Sequence, residues 1–427
     1  MTEQRWEIPS SWAWVSMDEV SEIVGGGTPP AKDGSNFADE GIRWLTPADL
    51  TGYRETFISR GRRDLSEKGY RSSAARILPA GTVLFSSRAP IGYCAIASGE
   101  ISTNQGFKSF VLKGKISPEY IRHYLLASVD YAESKASGTT FMELSLGRAA
   151  ELSAPIAPLS EQRRIVAKID SLTGKSRRAR DHLDHIPRLV EKYKQAILAA
   201  AFRGDLTREW RAKHHHKREW ELANPSAYFT WSSGKNLPSK RQVAGDVPVI
   251  GGNGVGGYHN EALIDFPTLV VGRVGAQCGN VHFSSGPAWI TDNAIFARSV
   301  SDRIDLSYAV LFFRNANLNQ LAGGSGQPYI NQTTLNALTL PLPAIEEQRE
   351  LVRLVEMALR WVDRIFADAT SARKLIDHLD QSVLAKAFKG ELVSHDPADE
   401  PASALLDRIR AERAAAPKAK RGRKTAA

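Results

Sequence analysis

The stretch Pro155-Ile-Ala-Pro-Leu-Ser-Glu-Gln-Arg163 decides the fold of this chain, because it returns later as Pro341-Leu-Pro-Ala-Ile-Glu-Glu-Gln-Arg349. A second string, Ala201-Phe-Arg-Gly-Asp-Leu206, returns as Ala387-Phe-Lys-Gly-Glu-Leu392. Both pairs of strings are offset by 186 residues, so the segment between head and foot has kept its length. A segment whose length is kept acts as a spacer, and the chain is organised as an internal repeat.

Each spacer carries apolar residues at alternating steps of four and three, which is the heptad pattern of a coiled coil. The first seam runs from Ile165 to Ala200, and the repeat offset places a second seam from Leu351 to Lys386. The pattern predicts two helices of about 60 Å each, at 1.5 Å per residue. Narrow seams with charged flanks favour two helices that pack on each other. The alternative is that each helix is buried in a separate domain.

Three residues set limits on these helices. Pro187 predicts a kink or an interruption of the first helix near Asp184, since proline removes a backbone hydrogen bond. Gly204 and Gly390 stand at the feet of the two helices, where glycine is suited to a left-handed cap. We therefore expect an imperfect first helix, and two helices that end in the same way.

The stretches before the helices are rich in glycine and in short β-runs with closely spaced turns, which predicts globular domains. Pro79–Arg88 parallels Phe266–Arg273, and Ile101–Phe107 parallels Ile290–Phe296, with the register slipping by a few residues. We therefore expect two diverged relatives, in which Arg88 corresponds to Arg273 and Asn104 to Asn293. The predicted boundaries are 1–155 for the first globular domain, 156–212 for the central helical spacer, 213–340 for the second globular domain, 341–412 for the C-terminal helical spacer and 413–427 for a basic disordered tail.

The composition points to a polyanionic partner. The 427 residues contain 56 Lys and Arg against 47 Asp and Glu, a formal net charge of +9, and such an excess favours nucleic acid. Six of these cations lie from Arg413 onward, so residues 1–412 carry only 9 − 6 = +3. Two cysteines are too few for a disulfide framework and predict a cytoplasmic protein. The absence of an apolar run of membrane-spanning length predicts no membrane partner.

Arg, Lys, Asn and Gln side chains are concentrated in the loops of both globular stretches. These side chains read base edges through paired hydrogen bonds, and the cations also neutralise phosphates. Any one of them alone is an ordinary surface residue, so recurrence after equivalent strands is the stronger argument. The predicted DNA-binding residues are Arg43, Arg62, Arg63, Arg88, Asn104, Gln105, Lys108, Lys235, Lys240, Arg241, Asn253, Tyr258, Arg273 and Asn293.

Motifs of other chemistries are incomplete. Gly252–Gly257 satisfies the dinucleotide fingerprint G-x-G-x-x-G, but the fingerprint requires a helix next, and the following residues predict a glycine-rich loop instead. His214–His216 lacks spaced ligands and favours a solvated linker over a metal site. Glu119 with Glu133 and Lys135 faintly echoes a nuclease site, yet their segment has a helical pattern. The residues therefore predict neither a catalytic nor a metal site, and a self-contained nuclease or methyltransferase with fused recognition domains is the alternative.

The Glu-Gln-Arg heads, the Ala-Phe-Arg/Lys-Gly feet and the duplicated layout resemble the specificity subunit of type I restriction-modification systems. The C-terminal run Ala387–Ala402 with Leu405–Arg410 is typical of that family, and Gly254–Tyr258 followed by Gly272–Gly275 resembles a common second recognition domain. The resemblance covers nearly the whole chain. It implies an α+β fold in which two globular α/β target recognition domains are joined by two long antiparallel coiled-coil helices, with a pseudo-two-fold internal repeat.

The resemblance also implies a function and partners. Each recognition domain would read one half of a bipartite asymmetric site in double-stranded DNA, and the chain itself would be neither an enzyme nor a cofactor-binding protein. Two methylation subunits, which bind S-adenosylmethionine, would attach to the helices, and a motor subunit that cleaves DNA belongs to the same systems. The helix residues expected to serve partner binding are Glu161, Gln162, Arg163, Phe202, Gly204, Glu347, Gln348, Arg349, Phe388 and Gly390.

Overall fold

The computed structural model describes residues 3–88, 90–138, 142–214, 220–323 and 328–415. Up to residue 158 the described chain alternates short strands with short helices. In chain order these are β1 (Ala13–Ser16), α1 (Met17–Val20), β2 (Ser21–Gly25), β3 (Phe37–Ala38), β4 (Trp44–Leu45), β5 (Phe57–Ile58), β6 (Asp64–Leu65), α2 (Glu67–Arg71), β7 (Val83–Ser87), β8 (Ile91–Ala97), β9 (Ser102–Thr103), β10 (Phe107–Leu112), α3 (Pro118–Ala127), α4 (Val129–Lys135), α5 (Leu146–Ala150) and β11 (Ser153–Ile156).

A five-stranded sheet in the order β2-β10-β7-β8-β5 organises this first region. Neighbouring strands are antiparallel except for the parallel pair β5 and β8. Successive side chains of a strand point to opposite faces of the sheet, and β7 uses both faces. Val83 and Phe85 join one hydrophobic core, whereas Leu84 joins a second one. This division explains why the strand is an unbroken apolar run until its last two serines.

The first spacer forms α6 (Leu159–Asp184) and α7 (Ile186–Phe202). The interruption predicted from Pro187 is confirmed, since the helix breaks at His185. Proline lacks the N–H that would continue the helical bonds, and its ring clashes with the carbonyl four residues earlier. His185 still has helical backbone angles, φ −84° and ψ −20°, so the break is confined to one residue.

The second region repeats the alternation of strands and short helices. Its elements are α8 (Arg208–Lys213), β12 (Glu221–Ala223), β13 (Phe229–Ser233), β14 (Val247–Gly251), β15 (Gly254–His259), β16 (Thr268–Gly272), β17 (Val281–Ser284), β18 (Trp289–Ile290), β19 (Ala294–Val300), α9 (Leu306–Asn315), α10 (Gln332–Asn336) and β20 (Leu340–Leu342). The main sheet has the order β13-β19-β16-β17, and a smaller sheet has the order β15-β14-β18. The strand β16 again serves two cores, with Leu269 and Val271 in one and Val270 in the other.

The second spacer is one continuous helix, α11 (Ile345–Lys389), and a last helix, α12 (Ala402–Ala415), follows it. Leu405, Leu406 and Ile409 of α12 are buried in the first core. The helix therefore includes three residues that the sequence assigned to a disordered tail. The remainder of that predicted tail, residues 416–427, lies outside the described residues.

The chain divides into two compact units. Unit 1 comprises residues 1–181 and 373–427, and unit 2 comprises residues 182–372. Each unit therefore combines one globular region with a part of each spacer. The boundary crosses the first spacer shortly before the break at His185.

In unit 1 the helix α6 runs antiparallel to the end of α11. Ile165 and Ile169, near the start of α6, share a core with Val383 near the end of α11. Further along α6, the guanidinium of Arg180 lies 2.9 Å from the carboxylate of Asp377. Contacts that advance along one helix and retreat along the other define an antiparallel pair.

In unit 2 the helix α7 pairs with the beginning of α11 in the same sense. Ala201, at the end of α7, shares a core with Leu351 and Val355 near the start of α11. Earlier in α7, Lys194 has its Nζ 2.6 Å from Oδ1 of Asp363, which lies further along α11. The prediction that the two spacers pack on each other, antiparallel, is confirmed, and the alternative of separate burial is wrong.

The predicted left-handed caps are also confirmed. Gly204 has a φ of 77° and Gly390 has a φ of 79°. The next residue closes each helix, because the N–H of Asp205 donates to the carbonyl of Ala200 at 3.0 Å, and that of Glu391 donates to Lys386 at 2.9 Å. This is the six-residue bond of a Schellman cap.

The two caps differ in the space around them, which gives a test. A Cβ on Gly390 would lie 2.4 Å from Cγ of Pro9, whereas one on Gly204 would meet the end of the Arg211 side chain at 3.0 Å. Gly390→Ala and Gly204→Ala both incur the left-handed cost of roughly 1–2 kcal/mol, and Gly390→Ala should lose more because the proline ring cannot move aside. We expect the larger fall in the denaturant midpoint for Gly390→Ala and little change for the control Lys389→Ala. Equal midpoints for all three variants would show that neither cap needs its glycine.

Candidate nucleic-acid interface

At one edge of the first sheet the ends of β2 and β7 meet the start of β10. Thr28, Arg88, Gln105, Lys108 and Glu143 lie there, and we call them the first strand-end cluster. The hydroxyl of Thr28 donates to Oε1 of Gln105. The guanidinium of Arg88 lies 3.6 Å from the carboxylate of Glu143, and the pair is partly exposed. The cluster therefore presents an arginine, an amide and a hydroxyl at the end of the sheet.

Lys108 is buried within this cluster, with only 8 % of its side chain exposed. Its ammonium donates to Oγ of Ser87 at 3.1 Å, to Oε1 of Glu143 at 3.2 Å and to the carbonyl of Gln105 at 3.5 Å. An ammonium group has three donors, and all three are used inside the protein. The prediction that Lys108 is a loop residue that contacts DNA is corrected: it holds the cluster together. Sequence reasoning missed Glu143, the acid that joins Lys108 to Arg88.

Asn104 shapes the turn that leads into β10. Its Oδ1 accepts a hydrogen bond from the N–H of Gly106 at 2.9 Å, and its own N–H donates to the carbonyl of Leu45 at 2.9 Å. Glycine is required at position 26, because a Cβ there would lie 2.0 Å from the carbonyl oxygen of Asn104. The half-buried Asn104 therefore supports the loop with its oxygen and retains its amide nitrogen for an outside contact.

An aromatic platform lies beside the first cluster. The guanidinium carbon of Arg63 stands 3.8 Å from the ring centroid of Phe37 and 5.6 Å from that of Trp44. The indole N–H of Trp44 donates to the carbonyl of Gly27 at 3.1 Å, which fixes the platform to the end of β2. Arg43 is partly exposed immediately before Trp44. The platform thus carries two accessible cations next to the strand-end cluster.

Arg62 is held in place by an acid rather than by an aromatic ring. Its Nε donates to Oδ1 of Asp49 at 3.0 Å, while most of the arginine side chain stays exposed. Burial opposes the ionisation of Asp49, but the hydrogen bonds from Thr46 and Arg62 outweigh burial and lower the pKa of this carboxyl. Asp49 therefore remains an anion that orients Arg62.

The equivalent edge of the sheet in unit 2 forms the second strand-end cluster, which consists of Lys235, Asn253, Arg273 and Asn293. Lys235 follows β13, Arg273 follows β16 and Asn293 precedes β19. The N–H of Arg273 donates to the carbonyl of Asn293 at 2.8 Å. Unlike Arg88, the guanidinium of Arg273 has no ion-pair partner among the residues that the structure describes. Four of the predicted residues are thus brought to one edge.

The glycine-rich string lies in a hairpin of the same unit. Its two strands are joined by Gly252 and Asn253, and Gly254 has a φ of 86°. The turn touches the end of β16, because a Cβ on Gly272 would lie 3.0 Å from the carbonyl oxygen of Gly252. The string is continued by the strand β15, not by a helix, so it lacks the helix N-terminus that a dinucleotide site requires. Tyr258 is exposed on that strand.

Lys240 and Arg241 lie in a short 3₁₀ turn, Ser239–Arg241, before the hairpin. Both cations are exposed. Within the described ranges neither side chain has an ion-pair partner, so both positive charges are available to solvent and to an anionic ligand.

The correspondence of Arg88 with Arg273 is corrected by the hydrogen bonds around them. Arg273 N–H donates to the carbonyl before β19, and in unit 1 the N–H that makes this bond belongs to Ser87, which donates to Gly106 at 2.8 Å. Arg273 is therefore equivalent to Ser87, and Asn293 to Gly106. Two matching residue types one or two positions apart had suggested the wrong alignment.

The true alignment keeps the repeat offset at this edge. Arg88 forms an antiparallel bridge with Glu143, and Val274 forms the corresponding bridge with Tyr329. Both pairs are separated by the same 186 residues as the helix heads. Extending that offset into the globular regions would have found Glu143 and Tyr329. The two clusters are thus different side chains on one repeated backbone.

The heads of the long helices are fixed by a buried glutamine in each unit. In unit 1, Nε2 of Gln162 donates to the carbonyl of Ala157 at 2.9 Å, and its Oε1 accepts from the N–H of Ser117 at 3.1 Å. Ser117 is the N-cap residue of α3. We call this connection between the head of α6 and the start of α3 the head joint of unit 1.

Unit 2 repeats the head joint with one additional bond. Nε2 of Gln348 donates to the carbonyls of Pro343 at 2.9 Å and Arg303 at 2.8 Å, and Oε1 accepts from the N–H of Asp305 at 2.8 Å. Asp305 is the N-cap residue of α9. The glutamine of each repeated Glu-Gln-Arg string therefore has an internal structural role, which the sequence did not indicate.

The preceding glutamate is buried as well, with different partners in the two units. Oε2 of Glu161 accepts from the indole N–H of Trp12 at 3.0 Å, and Nδ1 of His395 lies 2.8 Å from its Oε1. Glu347 accepts from the hydroxyl of Thr207 at 2.7 Å and forms an ion pair with Arg211. Glu161 and Glu347 thus each bind a residue that follows a helix foot.

The remaining predicted partner-binding residues separate into buried and exposed ones. Phe388, Gly390 and Gly204 are buried, and Phe202 is partly buried. Arg163 and Arg349 are the exposed members of the set. Surface contact with another subunit is therefore open to the two arginines, while the other side chains serve the interior.

No metal or membrane site is evident in the part of the chain that the structure describes. Within that part no three His, Cys, Asp or Glu residues come together as metal ligands, and no helix has the length and apolar character of a membrane span. His215 and His216 of the histidine string lie outside the described residues. Glu119 lies in α3, and Glu133 and Lys135 lie in α4, as the helical pattern predicted.

The corrected role of Lys108 gives a prediction about stability. Lys108→Met keeps the volume but leaves Glu143 and Ser87 without their buried donor, and it should lower the free energy of unfolding by about 1–3 kcal/mol. Gln105→Ala, at an exposed position of the same cluster, should change it by less than about 0.5 kcal/mol. Chemical denaturation of the purified variants measures both. A Lys108→Met variant as stable as the parent chain would show that the lysine is not structural.

Comparison with known proteins agrees with this architecture. The type I restriction modification DNA specificity domain matches residues 9–182 and 228–358. The StySPI specificity subunit of Salmonella potsdam is 26 % identical, with 99 % of this chain and 100 % of that protein covered. The EcoKI specificity subunit of Escherichia coli K12 is 25 % identical, with coverage of 98 % and 99 %. The MjaIX specificity subunit of Methanocaldococcus jannaschii is 34 % identical, but over 44 % of this chain and 46 % of that protein.

Solved structures show the same fold. The HsdS subunit of Thermoanaerobacter tengcongensis superimposes with a TM-score of 0.63 at 19 % identity and covers 92 % of this chain and 100 % of its own. A chain from a type I restriction-modification assembly gives a TM-score of 0.70 at 19 % identity, with coverage of 90 % and 100 %. The alternative of a self-contained nuclease or methyltransferase is not favoured, since the relatives matched at full length are specificity subunits. With both of its halves matched, this chain belongs to the family of type I restriction modification DNA specificity domains.

Proposed function

We propose that this chain is the DNA-reading subunit of a type I restriction-modification complex. Each unit reads one half of a bipartite, asymmetric site in double-stranded DNA, and partner subunits carry out adenine methylation and restriction. Family membership supports the role in DNA specificity. In this proposal the chain has no catalytic activity of its own.

The observation that carries the proposal is that equivalent sheet edges present different side chains. The first cluster offers Arg88 and Gln105, and the second offers Arg273 and Asn293 on the same repeated backbone. Arg pairs with guanine, and Asn or Gln with adenine, through two hydrogen bonds to the base edge. Two unlike readers on one repeated scaffold are what an asymmetric two-part site requires.

The exposed cations beside the clusters suit the phosphate backbone. Contacts to phosphates fix the register of a protein on DNA without reading the sequence. The indole and phenyl platform holds Arg63, and Asp49 holds Arg62, so both guanidinium groups are oriented before DNA arrives. The residues assigned to this role are Arg43, Arg62 and Arg63 in unit 1, and Lys235, Lys240 and Arg241 in unit 2. Asn104, Asn253 and Tyr258 supply further polar contacts.

The surface of the spacers supports two copies of one partner. Leu189 and Tyr193 of α7 are 41 % and 61 % exposed, and Leu375 and Leu379 of α11 are 68 % and 55 % exposed. The two pairs are related by the repeat offset of 186 residues. Neighbouring apolar side chains left in water are typical of a protein contact. A pair that recurs at the same position of a repeat fits two methylation subunits, one at each pair, with Arg163 and Arg349 as polar contacts.

Cofactor and location follow from this assignment. S-adenosylmethionine binds to the methylation subunits, and a motor subunit that cleaves DNA joins the assembled complex. Work on chromosomal DNA places the chain in the cytoplasm. The two cysteines, Cys94 and Cys278, are free, which is compatible with that compartment.

The half-site assignment is tested by mapping N6-methyladenine after the chain and its methylation subunit are produced together. Arg88→Ala should relax one half of the methylated sequence and Arg273→Ala the other, because a paired hydrogen bond to a base contributes about 1–3 kcal/mol of discrimination. Lys115→Ala, an exposed cation at the opposite end of β10, should leave both halves unchanged. If each arginine variant altered both halves equally, the assignment of one reader to each unit would be wrong.

The docking assignment is tested by stoichiometry. Leu375→Lys with Leu379→Lys should leave folding intact, since both side chains are exposed, but should remove one of two bound methylation subunits. Leu189→Lys with Tyr193→Lys should remove the other, and Gln381→Lys, at an exposed polar position of α11, should remove neither. Native mass spectrometry counts the subunits. Two bound copies in both double variants would rule out these surfaces as the docking sites.

A further inference from the structure

Gln162 and Gln348 connect the same two elements in their respective units. One end of each side-chain amide bonds to the head of the long helix, at Ala157 or Pro343. The other end accepts from the N-cap residue of α3 or α9. Both glutamines are fully buried, so no water and no partner subunit reaches them. The contacts that the two units share therefore act inside each unit.

The geometry of an amide makes this connection stiff. Its oxygen and nitrogen lie in one plane, and each bond has a preferred direction. The helix α3 cannot rotate against the head of α6 unless one of the two bonds is lost and a buried group is left without a partner. Tyr120 of α3 adds a third tie, because its hydroxyl donates to the carbonyl of Pro155 at 2.8 Å. Burial raises the pKa of Tyr120 well above its usual value, so this donor stays protonated.

The head joint stands at one end of a lever and the strand-end cluster at the other. In unit 1 the strand β10 starts at Phe107, beside the cluster, and ends at Leu112, shortly before Ser117. Six residues of strand span about 20 Å at roughly 3.3 Å per residue. A tilt of about 10° at the joint moves the cluster by about 3.5 Å, which is close to one base-pair step of roughly 3.4 Å.

We propose that Gln162 and Gln348 are positioning residues that fix the number of base pairs between the two halves of the DNA site. The inference rests on the proposed function, since it presumes that each unit reads a half-site. It adds that spacing depends on the angle within each unit as well as on spacer length. Neither glutamine touches DNA, so base preference does not depend on them. Gln348 makes three bonds where Gln162 makes two, and its loss has the larger effect.

The experiment uses the complex of this chain with its methylation subunits and a DNA library in which the two half-sequences stand at a range of separations. N6-methyladenine is measured as a function of separation for the parent chain, Gln162→Ala and Gln348→Ala. The parent chain methylates one separation. Each variant raises methylation at the two neighbouring separations, relative to the preferred one, by about tenfold, equivalent to about 1.4 kcal/mol, and leaves both half-sequences unchanged.

Two further variants separate positioning from loss of stability. Gln162→Glu keeps the oxygen that accepts from Ser117 but loses the donor to Ala157, so it broadens the spacing less than Gln162→Ala and remains informative if the alanine variant does not fold. Leu78→Ala removes a buried side chain from the other core of unit 1, away from the joint. It lowers stability and leaves the spacing as in the parent chain.

The outcomes that would overturn the inference are distinct. Parental spacing in the glutamine variants, or equal broadening by Leu78→Ala, overturns the positioning role while the proposed function stands. A parent chain that directs methylation to no two-part site overturns the proposed function itself, and that failure is visible before any variant is compared.

Discussion

Each unit is held together by a helix foot buried against the aromatic face of a short helix. In unit 1 the ring of Phe388 packs edge-on against Tyr120 and Tyr124, at centroid distances of 5.3 and 5.2 Å. In unit 2, Phe202 lies 5.7 Å from Tyr308 and 5.8 Å from Phe312. Burying a phenylalanine contributes about 1.5–3 kcal/mol, and aromatic pairs add about 0.5–1.5 kcal/mol. Removing either foot would free the spacer from the region that it supports.

This arrangement separates support from recognition. Feet, caps and head joints recur at the same repeat positions with the same bonds, because each must hold a globular region on a pair of helices. The strand-end clusters recur as backbone but not as side chains: Arg88 stands where unit 2 has Val274, and Arg273 stands where unit 1 has Ser87. A family built in this way can change its readers without changing the scaffold, since no reader side chain takes part in the head joints.

The sequence predicted the helical half of the molecule better than the globular half. The seam, the break at Pro187 and the caps at Gly204 and Gly390 are local or periodic features, and periodicity fixes which face of a helix is buried. The alignment of Arg88 with Arg273 failed because similar residues at adjacent strand positions are easily exchanged, and a slip of one residue changes every partner. The burial of Lys108 depends on Glu143 and Ser87, which lie in other segments, so no local pattern indicated it.

The central claim is that paired helices set the distance between two independent readers. It is tested most directly by inserting four residues after Arg180 in α6 and four after Ile376 in α11, which lengthens both partners of the antiparallel pair. Four residues add about 6 Å and a rotation of about 40°, so the methylated site should keep both half-sequences and gain one or two base pairs of spacer, at roughly 3.4 Å each. Two residues in each helix rotate the seam by about 200° and should abolish methylation. A four-residue insertion that assembles and methylates at the original spacing, or that changes the half-sequences, would contradict the account.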